Sequence, residues 1–370
     1  MILVIAHNII KGGGISIVCS FVEYLIKKEK KVLVFLPDIP VYRELESSLR
    51  SGELLNIEWA PPDISRYIYK LRLPYRLKST VEKFSISKIF SLGNIAYKTD
   101  VDQVVLVQNA FSTLDDKRVW KMFSSKDKIY LKIMQFYILR NLKYASKIIV
   151  QTQTQKDALQ KRLEIEESKF KIVPNYIDLS KIGGLNDQNV VFNGSCLSLL
   201  FLSKYYPHKN FEILPEICKQ IQEHKLPIRI TLTLDENNEV DRKVLNGLKK
   251  YNSIVSNIGV VRYDKLSEVY SQVHGIFLPT LLESFSANYI EAMYFEKLIF
   301  TSDRDFAKEV CGECAFYFDP FDAKSIIYEF QNIFKLNALA GDKIFNYQGQ
   351  LKKLKVLDAE NNNELIFLSI

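Results

Sequence analysis

The chain is poor in the residues that hold proteins together covalently or through metal: 370 residues contain only five cysteines and four histidines. The cysteines are odd in number and scattered, which argues against a disulfide framework and fits a reducing cytoplasm. Cys311-Gly-Glu-Cys314 has the spacing of a zinc or redox pair, but no second pair or nearby histidine completes four ligands. It precedes the apolar run AFYF instead of opening a helix, so both cysteines read as packing residues. His7, His224 and His274 have no metal spacing, and neither a Ser-His-Asp order nor a nucleophile elbow is present. No run of eighteen apolar residues occurs, so no transmembrane helix is expected. The opening MILVIAHNII lacks a basic leader and reads as a first buried strand, not a signal peptide. Repeats at solenoid periods are absent.

What is there is a globular composition, 47% hydrophobic and 25% charged, in a chain long enough for two domains. The net charge of +7 is unevenly shared. Residues 1–176 hold 29 Lys/Arg and 18 Asp/Glu, a balance of +11, and the remainder is net acidic at −4. Two segments carry much of the excess: Arg66–Lys88 has seven basic residues and one acid, and Lys117–Lys147 has nine and one. Both interleave aromatics, among them Tyr75, Trp120, Phe123, Tyr130, Phe136 and Tyr137. One reading is a solvated helix face with its aromatics in the core. The other is a surface for anionic lipid, at roughly 1 kcal/mol per well-placed cation. No nucleic-acid-binding motif accompanies the charge, so nucleic acid is not an expected partner.

Along the chain, apolar runs alternate with helical periodicity. Ile2–Ala6, Val32–Leu36, Ile86–Leu92, Gln103–Val107, Lys147–Gln151 and Phe170–Val173 read as strands, and Lys128–Ala145 reads as a long helix. From Tyr176 to Gly194 periodicity fails and Gly183, Gly184, Asn186, Asp187, Asn189 and Asn193 accumulate, which marks a linker. Alternation then restarts with strands at Leu197–Leu202, Ile228–Leu234, Val255–Val260, Gly275–Leu278, Leu298–Thr301 and Ala315–Phe318. The expected class is α/β, with two parallel-sheet, Rossmann-like domains: residues 1–177, a linker at 178–194, a second domain at 195–336 and a tail at 337–370. Ligands of such sheets sit at the carboxyl ends of strands, and a cleft between the domains is the default site.

The stretch Phe277–Ala292 is the most telling. A strand ends near Leu278, Pro279 breaks it, and a helix is expected from Ser286, with Glu283 before it and Glu291 in its second turn. Free amides and the positive helix end suit an anion, and the paired carboxylates suit sugar hydroxyls. Lys204 and Lys209 bracket a loop after another strand, where two ammonium groups would neutralise a departing diphosphate, or would be ordinary surface lysines. His208 between them reads as a loop residue. Gly12, Gly13 and Gly14 follow the first strand, where glycine serves either close approach of a ligand or tight helix–strand packing.

In this order the pieces resemble retaining glycosyltransferases of family 4, the group 1 glycosyltransferases, which have the GT-B arrangement of two Rossmann-like domains facing each other across a cleft. Glu283-Ser-Phe-Ser-Ala-Asn-Tyr-Ile-Glu291 is similar to the family's EGFGxxxxE motif. Lys204-Tyr-Tyr-Pro-His-Lys209-Asn210 is similar to GRLxxxKN, with Lys204 in the arginine's place. Val173-Pro-Asn-Tyr-Ile-Asp178 resembles VPNGVD, and Ile149-Val-Gln-Thr and Phe318-Asp-Pro320 resemble VVxxS and lfdP.

The resemblance implies that Glu291 holds the nucleotide ribose and Glu283 contacts the donor sugar. It implies that Phe285, Ser286 and Ala287 offer backbone amides, that Lys204 and Lys209 stabilise the leaving diphosphate, and that Gly13 and Gly14 let the first domain approach the donor. It further implies a nucleotide-sugar donor (UDP- or GDP-linked), a glycan or lipid-linked acceptor, and retention of configuration without metal or other cofactor. The expected setting is bacterial surface polysaccharide synthesis, in the cytoplasm or peripherally at the inner membrane face. The chain departs from the family at Ser284 and Ser286, which replace glycines, at Tyr176, and at Gln108, near where many members have a histidine. The tail after about Leu336 shows no clear return helix. Two other classes fit the architecture: a non-catalytic, sugar-nucleotide-binding scaffold and a sugar-nucleotide epimerase.

Overall fold

The structure is a computed structural model that describes residues 1–10, 12–49, 52–61, 65–177, 182, 192–337, 345–354, 356 and 359–369. The side chains of 65–72, 337 and 359 are outside this description, as is most of the expected linker, including Gly183, Gly184, Asn186, Asp187 and Asn189.

In chain order the first strands and helices are β1 (Ile2–Ile5), α1 (Gly14–Lys27), β2 (Val32–Pro37), α2 (Pro40–Leu49), β3 (Leu55–Ala60), α3 (Ser65–Phe84), β4 (Lys88–Ser91), β5 (Gln103–Leu106), α4 (Lys117–Lys121), α5 (Ser125–Leu142), β6 (Lys147–Val150), α6 (Gln153–Leu163) and β7 (Phe170–Ile172). They are followed by β8 (Leu197–Phe201), α7 (Leu214–Glu223), β9 (Ile228–Leu232), α8 (Glu239–Leu248), β10 (Val255–Asn257), α9 (Leu266–Ser271), β11 (Gly275–Leu278), α10 (Ala287–Tyr294), β12 (Leu298–Ser302), α11 (Asp305–Cys311), β13 (Phe316–Phe318), α12 (Ala323–Asn337), α13 (Tyr347–Leu354) and α14 (Ala359–Phe367).

The strands form two parallel sheets, ordered β3-β2-β1-β4-β5-β6-β7 and β10-β9-β8-β11-β12-β13. Each is doubly wound, and the strand order reverses once, at the β1/β4 junction in the first sheet and at β8/β11 in the second. Helices cover both faces, so the inner strands are near-continuous apolar runs; every residue of β1 and of β11 is buried. These are the two Rossmann-like units of the GT-B class.

The compact units are residues 1–114, 125–176 and 358–370 on one side of the division, and 115–124 and 177–357 on the other. Two segments thus part company with the expected ranges. Asp115–Ser124 groups with the second unit, where Arg304 Nη1 donates to Asp116 Oδ2 at 2.9 Å. The end of the chain groups with the first, correcting the expectation of a tail without a return helix. In α14, Glu360 pairs with Lys27 and Lys28, Asn363 Nδ2 donates to the Ser20 carbonyl and hydroxyl, and Phe367 packs at 6.2 Å from the Phe90 ring. Ile366 joins the core on the α1 side of the first sheet, whereas Leu73, Leu77, Ile138 and Leu142 from α3 and α5 fill the other side. One continuous core serves the second unit; Phe201 and Phe211 stack in it at 4.1 Å.

Candidate functional site

In a doubly wound sheet the crevice for a ligand opens at the carboxyl ends of the strands flanking the order reversal. In the second unit those strands are β8 and β11, and their loops are 202–210 and 279–286. These loops carry Lys204, Lys209, Glu283, Phe285 and Ser286. The topology therefore brings together residues that the sequence separates by more than seventy positions; Lys209 and Glu283 are 74 apart.

The two loops are knitted to each other. The Lys209 ammonium is ion-paired with Glu283, each side chain 15% exposed. The His208 carbonyl accepts from the Leu281 amide at 2.7 Å and from the Thr280 hydroxyl at 3.2 Å. Asn210 takes a left-handed backbone (φ 64°) that asparagine tolerates, and its amide donates to the Pro320 carbonyl at 2.7 Å. Burial and the neighbouring Lys209 charge push the His208 imidazole down to about 3. This favours the neutral ring, in keeping with its reading as a loop residue. Lys204 is exposed and makes no ion pair among the described residues. One cation of the pair is thus held by a carboxylate and the other stands exposed.

Helix α10 begins where the sequence suggests. Ser286 is the N-cap in extended backbone (φ −106°, ψ 122°), yet its side chain makes no capping hydrogen bond. The first-turn amides are therefore not satisfied from the cap, and Ser286, Ala287 and the residues after them present donors and the positive helix end to the crevice. The helix is fixed from below: Tyr289 hydroxyl meets Thr301 Oγ1 at 2.7 Å, and the Asn288 amide donates to the Leu202 carbonyl at 2.7 Å.

Glu291 points into the same unit from the second turn and is only 2% exposed. Burial pushes its carboxyl up to about 7, against the hydrogen bond that Oε2 accepts from the Tyr270 hydroxyl at 3.0 Å. A carboxyl kept in apolar surroundings with a single partner costs stability. A buried carboxyl with so raised a pKa is a candidate ligand contact.

The glycines Gly13 and Gly14 lie in the first unit, after β1, at that sheet's own reversal. Gly12 needs glycine because its φ is +78°. A Cβ on Gly14 would meet Ile9 Cγ2 at 3.1 Å, which is close packing, whereas one on Gly13 would meet nothing within 4 Å. Gly13, like Gly12, has open space beside its backbone, whereas Gly14 is packed. Nearby, Gln108 Nε2 and Asn8 Oδ1 are buried without hydrogen bonds, and Asn8 Nδ2 donates to the Gly93 carbonyl at 2.9 Å. Cys311 and Cys314 are buried free thiols, and burial raises both above the ordinary thiol value.

One residue in the second unit escaped the sequence reading. Arg304 stands two residues past the end of β12; its Nη1 holds Asp116, while its buried Nε and Nη2 make no hydrogen bond. Phe321 lies between two guanidinium groups, 5.3 Å from Arg304 and 4.4 Å from Arg118. An arginine in the short loop after a buried strand was the available signal. Its partner, 188 positions away, was not legible.

Residues 197–335 match the family model described as glycosyl transferases group 1. That match spans the second unit's sheet and both of its site loops. Over 323 residues the chain is 22% identical to the O-antigen chain mannosyltransferase RfbU of Salmonella typhimurium, covering 87% of this chain and 82% of the relative. Two solved structures show the same fold: sucrose-phosphate synthase from Thermosynechococcus elongatus (TM-score 0.65, 16% identity, 99% and 94% of the two chains) and Anabaena Alr3699/HepE in complex with UDP and glucose (TM-score 0.66, 15% identity, 99% and 98%).

Proposed function

We propose that the chain transfers a sugar from a nucleotide-sugar donor to a glycan or lipid-linked acceptor, with retention of anomeric configuration, in the synthesis of a surface polysaccharide. The observation that carries this reading is the β8/β11 reversal, where two lysines, two glutamates and an uncapped helix start converge. The mannosyltransferase relative supports the polysaccharide setting, and the HepE structure with UDP and glucose supports a nucleotide-sugar donor.

In this reading Lys204 and Lys209 balance the charge of the diphosphate, and the amides of Phe285, Ser286 and Ala287 donate to its oxygens or to the sugar. Glu291, ionised, accepts hydrogen bonds from the ribose, and Glu283 accepts from a sugar hydroxyl. The bond from the anomeric carbon to the phosphate oxygen breaks, and its electron pair goes to the diphosphate, whose growing charge the lysines meet. The acceptor oxygen bonds to the anomeric carbon on the same face and passes its proton to the departing phosphate. No protein base is needed, in keeping with a His208 whose lowered pKa makes it a weak base and a Glu283 tied to Lys209. UDP- and GDP-linked sugars are both compatible with this site, and the transfer needs neither metal nor another cofactor. Gly13 gives the first unit room to approach the donor. The chain works beside the inner face of the cell membrane, where a lipid-carried acceptor is presented.

The test is incubation with a panel of nucleotide sugars and acceptors, with the product's anomeric coupling read by NMR. A retained linkage is expected. An isomer formed from the donor alone marks an epimerase, and tight donor binding with no product across the panel marks a scaffold; either outcome removes the transferase reading.

A further inference from the structure

Helix α5 has an outer face that its own unit leaves uncovered. Ile129, Ile133 and Phe136 are 62%, 63% and 62% exposed, and Tyr130 is 56% exposed. Among the described residues seven large apolar side chains are at least 56% exposed, and four of the seven share this one helix. Scattered exposed apolar residues need no explanation, whereas a contiguous stripe does. Positions 129, 133, 136 and 140 follow the i, i+4, i+7, i+11 spacing of one helix face, and the opposite face buries Leu131, Ile138 and Leu142.

The stripe is rimmed by cations. Lys126, Lys132, Arg140 and Lys143 fall on the same outward side, and Asp127 is the only acid in the helix. The Arg140 guanidinium lies 6.0 Å from the Phe136 ring centroid, so its charge rides on an apolar platform. Tyr75, 86% exposed, stands on α3, whose Leu73 and Leu77 share a core with α5 on the same side of the sheet.

We propose that this face of α5 docks the chain on an anionic lipid surface. Ile129, Ile133 and Phe136 enter the boundary between headgroups and acyl chains, and the four cations meet lipid phosphates. Charge complementarity selects lipid over a second copy of the chain, because self-pairing sets one basic rim against another. The surface stands on its own geometry and is independent of the transfer chemistry proposed above.

The test is flotation of the full chain with vesicles of phosphatidylcholine alone or mixed with phosphatidylglycerol. Wild type is expected on the mixed vesicles and not on the neutral ones. Lys126→Gln/Lys143→Gln should bind roughly thirtyfold more weakly, taking about 1 kcal/mol per cation. Ile133→Ser/Phe136→Ser should lose binding, and both variants should keep the wild-type melting temperature because every substituted side chain is exposed. Equal binding to neutral and mixed vesicles, no binding at all, or an apolar variant that floats like wild type overturns the proposal. So does a wild-type dimer in sedimentation that the apolar variant dissociates while vesicles are ignored.

Discussion

Replacing Glu291 by glutamine should make the protein more stable above neutral pH while destroying its donor site. The carboxyl sits at about 7 in the folded chain against an ordinary 4.5. The unfolded chain therefore ionises it first, and between these two values the folded state binds more protons. Stability contributed by this group is thus highest below 4.5, falls as pH rises toward 7, and is level above. A displacement of this size corresponds to about 3 kcal/mol against the folded state at pH 8, at about 1.4 kcal/mol for each pH unit. Glutamine has nearly the same shape, keeps an oxygen for the Tyr270 hydroxyl, and cannot ionise. Thermal unfolding of wild type and Glu291→Gln at pH 5 and pH 8 reads the effect. The difference should be small at pH 5, roughly 1 kcal/mol or less, and the variant should melt roughly 6 to 12 °C higher at pH 8, for a unit of this size. An equal difference at both pH values, or none at pH 8, would refute the buried, high-pKa carboxyl.

If Glu291 holds the ribose as proposed, the same carboxyl sets how donor binding depends on pH. Ribose hydroxyls favour the ionised form, so nucleotide affinity measured by calorimetry should rise as pH passes upward through about 7, and Glu291→Gln should bind weakly with a flat profile. Lys209→Ala and Lys204→Ala should each lower kcat by about a hundredfold or more by removing charge that meets the leaving diphosphate; near-wild-type turnover in both rules out that role. Because the Ser286 side chain caps nothing, Ser286→Gly should cost only a few tenths of a kcal/mol, and it should lower the donor KM if the hydroxymethyl crowds the site. A chelator such as EDTA should leave the transfer rate within about twofold of its starting value, since the lysines replace a metal's charge; a large fall reassigns that task.

Much of the fold was legible because both parallel sheets are buried on two faces. Strands such as Ile2–Ile5 and Gly275–Leu278 are unbroken apolar runs whose neighbours switch to helical spacing. The site stretch was legible for the same reason: Pro279 ends β11, Ser286 precedes α10, and the two glutamates straddle the change of period. What escaped notice depends on contacts remote in sequence. Asp116 belongs with the second unit because of Arg304, far down the chain. The return of α14 to the first unit rests on polar contacts of Glu360 and Asn363 and on few apolar residues, so its segment shows no amphipathic period. Helix α3, not among the expected elements, runs through Pro74, a residue that removes one helical hydrogen bond. Spacing alone gave Lys204 and Lys209 equal standing, yet only Lys209 is held by a carboxylate. Among the glycines, Gly14 turned out to be packed and Gly13 open.

The claim on which the rest depends is that the β8/β11 reversal binds a nucleoside diphosphate through Lys204, Lys209 and the start of α10. Melting curves of wild type, Lys204→Ala and Lys209→Ala with and without UDP and GDP test it directly. At about a hundred times the dissociation constant a bound nucleotide adds about 2.7 kcal/mol. Wild type should therefore show a clear rise with at least one of the two nucleotides, and both variants should show little or none. An unchanged wild-type melting temperature with either nucleotide, or variants that respond as wild type does, contradicts the account.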